Sequence, residues 1–70
     1  MTETEEFARM IERLQAIRES RLHLETELKR LKPPNERGAA IVRVLRAHDA
    51  EETAIRTSDL FNRNRSYAGL

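Results

Sequence analysis

The chain has 70 residues, a formal net charge of +1, two His and no Cys, with 36% of its residues charged and 39% hydrophobic. That length allows one small domain, with too little buried surface to be comfortably stable alone. The charge balance offers no general basic field for nucleic acid, and the lack of Cys excludes a disulfide framework or a thiolate metal site. Two Gly, two Pro, two Phe and one Tyr argue against a sandwich or barrel, which needs turn residues and aromatic or β-branched strands. No apolar run is long enough to span a bilayer, and the start is acidic (Glu3, Glu5, Glu6) rather than basic and then apolar. A cytoplasmic protein without a membrane segment is the plain expectation.

The first element organises the rest. Residues 3–32 predict one long amphipathic helix. With Phe7 at heptad position a, Phe7, Leu14, Arg21 and Leu28 fall at a, while Met10, Ile17, Leu24 and Leu31 fall at d. Such spacing keeps one stripe facing a partner helix. Thr2 is a candidate N-cap with Glu5 three residues on, as a capping box requires. The early glutamates and the late Lys29, Arg30 and Lys32 suit the two ends of the helix dipole. Glu5–Arg9 and Glu25–Lys29 are i,i+4 pairs of the better polarity. At 1.5 Å per residue the helix would be about 45 Å long.

Pro33-Pro34 ends it, because proline lacks an N–H and forces the preceding residue towards extended backbone. Asn35 can cap a second helix over about residues 36–60, and the short connection predicts an antiparallel return. Ile41, Val44, Leu45, His48 and Ile55 share a face there, with Glu52 inside the stripe. Asp49 with Glu52 has the spacing of a fresh cap, so a break at His48-Asp49 is the alternative to the continuous helix. No Gly or Pro marks such a break, which favours continuity. Periodicity fades after Phe61, so residues 1–61 read as a helical hairpin and residues 62–70 as a flexible tail. Arg63, Arg65 and Tyr67 in that tail could touch phosphates and stack a base, against the plainer reading of a solvated end.

The first stripe carries more large apolar residues than the second can answer. An exposed band of that kind marks an interface. The expectation is a homodimer, most simply a four-helix bundle, with Phe7, Met10, Leu14, Ile17, Arg21, Leu24, Leu28, Leu31, Ile41 and Leu45 at the interface. Flanking charges favour an antiparallel pairing of first helices, in which Arg13 approaches Glu27 and Arg18 approaches Glu25 of the partner. Arg21 interrupts the apolar seam. It can snorkel to water or Glu25, set the register of pairing, or bind an anion; a hydrogen-bonded pair with Glu52 of the second helix is the arrangement that would contradict the seam placement. His48 reads as a satisfied packing residue and His23 as a solvated one. One acid near His48, Glu52, is too few for a metal site.

The order of long helix, proline loop and shorter helices resembles the small all-helical chorismate mutases. That resemblance implies a dicarboxylate site formed by Arg21, Lys32 and Arg37. The sequence departs from the family at Gly38, where a Glu should follow the loop Arg, and it ends about where the family's final helix supplies its Gln. Residues 40–51 also resemble the last helices of GntR-type effector domains, without their metal histidines. Both likenesses rest on spacing in a small part of the chain, and neither assigns a family. The reading is therefore an all-α, non-enzymatic helical oligomerisation or protein–protein interaction module, such as a small regulatory or adaptor subunit. It needs no cofactor, and its partners are a second copy of itself and another protein. A small nucleic-acid-binding regulator is the alternative, and a mutase-type enzyme the third reading.

Overall fold

A computed structural model describes residues 2–32 and 35–66. It holds three helices: α1 (Glu3–Arg30), α2 (Glu36–Arg56) and α3 (Asp59–Arg65). The molecule measures 46 × 19 × 16 Å, and its long dimension is set by α1.

Local chemistry accounts for each helix end. Thr2 accepts a hydrogen bond from the Glu5 N–H at 3.2 Å, which satisfies one of the orphan donors of the first turn. Leu31 is already extended, at φ −88° and ψ 142°; this is the conformation expected just ahead of a residue that is itself constrained by a following proline. Pro33 and Pro34, to which the sequence assigns the stop, lie outside the described residues. Asn35 caps α2 and accepts from the N–H groups of Arg37 (2.8 Å) and Gly38 (3.2 Å).

Helix α2 runs through His48-Asp49 without a break. Asp49 is therefore not a cap. The break falls later, at Thr57-Ser58, and the expected single helix over 36–60 becomes two. The Thr57 hydroxyl bonds back to the Thr53 carbonyl at 2.8 Å, and Ser58 caps α3 by accepting from the Phe61 N–H at 3.0 Å. Ser58-Asp59, a cap followed by an acid in the first turn, is a local start signal. The expected tail also begins as structure. Asn62 to Arg65 are helical, and Asn62 donates to the carbonyls of Arg56 and Ser58. Tyr67 to Leu70, the remainder of that tail, lie outside the described residues.

The helices meet along the stripe of α1. Ile17 and Ile41 are each 1% exposed and Phe61 3%; these three are the fully buried hydrophobics among the described residues. Phe7 meets Phe61, which docks α3 on the first turns of α1. Buried Gly38 sits opposite Leu28, where an added Cβ would meet Leu28 Cδ1 at 3.5 Å. That is an ordinary van der Waals distance to a side chain, so the packing here does not require a glycine.

Candidate interaction surface

Helices α1 and α2 run antiparallel, and polar contacts line both edges of the pair. On one edge Arg13, Ser20 and Glu27 recur every seventh residue of α1. Arg13 pairs with Glu51, its Nη2 at 2.8 Å from Oε1. Ser20 Oγ lies 3.0 Å from His48 Nε2. Glu27 receives Arg37 in a two-pronged contact at 2.6 and 3.1 Å. These three rungs flank the core with matched groups. Hydrogen bonds from Arg13 and Arg37 hold the carboxyls of Glu51 and Glu27 below their ordinary range. Arg63 does the same for Glu3, where α3 meets the start of α1.

The other edge is different. Arg21 reaches across from α1 to both Asp49 and Glu52, with Nη1 3.0 Å from Glu52 Oε2. Arg56 takes the second oxygen of Glu52 at 2.9 Å. Beside this cluster lies an open groove of about 470 Å³. Its apolar walls come from Ile11, Leu14 and Phe61, and its polar rim from Gln15, Arg18, Arg21, Glu52, Arg56 and Arg65. Among the described residues, Arg18 and Arg65 make no ion pair. Four guanidinium groups from three helices thus line one groove beside a single carboxylate.

The sequence-derived site residues are distributed as follows. Ile17 and Ile41 are buried, while Phe7, Met10, Leu14, Leu24, Leu28, Leu31 and Leu45 are half-buried. Val44, expected on the α2 stripe, is instead 43% exposed. Arg21 neither snorkels to Glu25 nor stands alone at the seam. It answers Glu52, the one acid inside the stripe of α2, so the two apparent faults in the apolar pattern satisfy each other. The expected inter-copy partners Arg13 and Glu27 are engaged within the chain. Glu5–Arg9 and Glu25–Lys29 do not close; among the described residues the i,i+4 pair that forms is Glu52–Arg56.

Arg21, Lys32 and Arg37 do not converge. Arg21 binds acids that lie 12 to 15 residues beyond Arg37 on α2, roughly 18–22 Å along the helix. Arg37 binds Glu27, and Lys32 is exposed. His48 is a half-buried partner of Ser20. No group of three or more His, Asp or Glu among the described residues could hold a metal ion. No helix among them is long and apolar enough to cross a membrane.

Sequence reading did not find the groove, because Arg18, Arg56 and Arg65 converge only when three helices pack. The one local signal was the spacing of Arg18 and Arg21, one turn apart beside the seam. No family model matches the chain, and no curated protein or solved structure matches it either.

Proposed function

We propose that this chain is a non-enzymatic helical interaction module that works by associating with itself and with another protein. The observation that carries the reading is the incomplete cover of its own apolar stripe. Only Ile17, Ile41 and Phe61 are fully buried hydrophobics among the described residues, and eight of the ten expected interface residues are only partly buried. Leu22 and Val44 stand 60% and 43% exposed. A 70-residue chain with so small a core gains stability when a second surface covers these residues.

Sedimentation equilibrium at micromolar concentration tests this reading. A homodimer gives about twice the 8.2 kDa chain mass. A monodisperse monomer with a cooperative, concentration-independent melt removes the self-association half of the proposal.

One observation favours a second reading, a small nucleic-acid-binding regulator: the arginines gathered on a single edge. Its signature is binding whose logarithm falls linearly with that of salt, with a slope set by the phosphates neutralised. The mutase-type enzyme is left without support, since Arg21 and Arg37 spend their charge on separate acids.

A further inference from the structure

We infer that the groove between Ile11, Leu14 and Phe61 is the docking site for an acidic amphipathic helix of a partner protein. The inference rests on the interaction-module reading and names the chemistry of the partner.

Charge is the first argument. Elsewhere Arg13, Arg37 and Arg63 each meet one acid, Glu51, Glu27 and Glu3, while the other cations outside the groove make no ion pair among the described residues and are not gathered around an apolar wall. At the groove, Arg21 and Arg56 share Glu52, and Asp49 adds a second acid on Arg21. Arg18 and Arg65 then remain without an acid among the described residues. Those two stand on different helices, α1 and α3, so the surplus charge frames the groove rather than forming a run along one face.

Shape and polarity are the second argument. The walls between the arginines are apolar, and Leu22, one turn beyond Arg18 on α1 though not part of the groove lining, is 60% exposed. Phosphates are strongly hydrated and gain nothing from an apolar wall. A helix with leucines at i, i+3, i+4 and i+7 and carboxylates beside them fills the walls and neutralises the rim together. The stretch of α1 from Ile11 to Arg21 is about 15 Å long, near three helical turns. The groove is partly open to solvent, which suits a helix laid against it better than a small molecule that must be largely enclosed. A second copy seated symmetrically in the same groove would bring arginines against arginines, which disfavours self-pairing there.

The test uses a fluorescein-labelled helical peptide of roughly 14 residues, or four turns, with Leu at i, i+3, i+4 and i+7 and Glu at the flanking positions. A Lys-for-Glu version and a single-stranded oligonucleotide serve as comparison probes. Fluorescence anisotropy on the full chain is expected to show the acidic peptide bound and the basic one not bound. The pair Arg18→Glu with Arg65→Glu should weaken binding by about tenfold or more, and the milder pair Arg18→Gln with Arg65→Gln by less. Because neither residue makes an ion pair among the described residues, both double variants should melt as the parent does. If charge reversal unfolds the chain, the Gln pair carries the comparison. Three results overturn the inference: no binding of the acidic peptide, binding insensitive to the folded variants, or tighter binding of the oligonucleotide. A change in sedimentation mass on charge reversal also overturns it, since the groove would then hold a second copy. A dimer of unchanged mass that ignores the peptide refutes the groove assignment alone and leaves the interaction-module reading standing.

Discussion

The rings of Phe7 and Phe61 lie 5.6 Å apart between centroids, tilted at 41°. This is within the range in which aromatic pairs attract. The contact spans 54 residues of sequence and ties the third helix to the beginning of the first. Arg63 pairs with Glu3 one turn further along. Without this dock, α3 is a seven-residue helix, far too short to persist by its own propensity.

Phe61→Ala should therefore cost about 3 kcal/mol, the lower end of the range for buried Phe in a well-packed core. For a domain this small that is a large share of the total stability. Urea denaturation followed by circular dichroism measures it. Helicity should fall in the native baseline as well, because α3 is released. A loss below about 1 kcal/mol would mean that the ring contributes little to the core.

Arg21→Leu distinguishes a seam position from a cross-helix ion pair. An apolar seam gains stability when leucine replaces a cation. Here the change strands Asp49 and leaves Glu52, whose side chain is only 25% exposed, with Arg56 alone. The expected result is a loss of roughly 0.5–1 kcal/mol, a modest figure because the Arg21 side chain is itself a third exposed and screened by solvent. Adding Glu52→Leu should recover that loss, since a packed apolar pair replaces a partly desolvated charge pair. A stabilised single variant would show that the ion pair contributes less than the apolar packing it displaces.

Acid should destabilise the fold through three carboxyls. Glu3, Glu27 and Glu51 each accept from an arginine, and that hydrogen bond holds their folded-state pKa below the ordinary value of 4.5. A depressed pKa contributes stability that is present above the unfolded value and lost as pH falls through the folded one. Melting temperature should stay flat from neutral pH down to about 5 and decline below about 4.5. Replacing all three by Gln should lower the neutral melting temperature and flatten that decline. A triple variant with the parent's acid profile would place the pH dependence on other carboxyls.

What could be read in the sequence was local in origin. The Thr2 and Asn35 caps, the end of α1 ahead of the prolines, the stripe of α1 and the unbroken course of α2 at His48-Asp49 all follow from interactions within a turn or two. Such interactions leave their mark at fixed short spacings. The third helix could have been read too, from Ser58-Asp59, but its start was masked by the fading of periodicity around it. Tertiary packing alone decided the rest. Arg21 and Glu52, 31 residues apart, each looked like a defect in its own stripe, and only the antiparallel register of α1 and α2 made them partners. Phe61 became core only because α3 turned back onto Phe7. The arginines of the groove lie up to 47 positions apart, on three helices. No short spacing encodes their convergence, because it depends on the relative rotation of three packed helices.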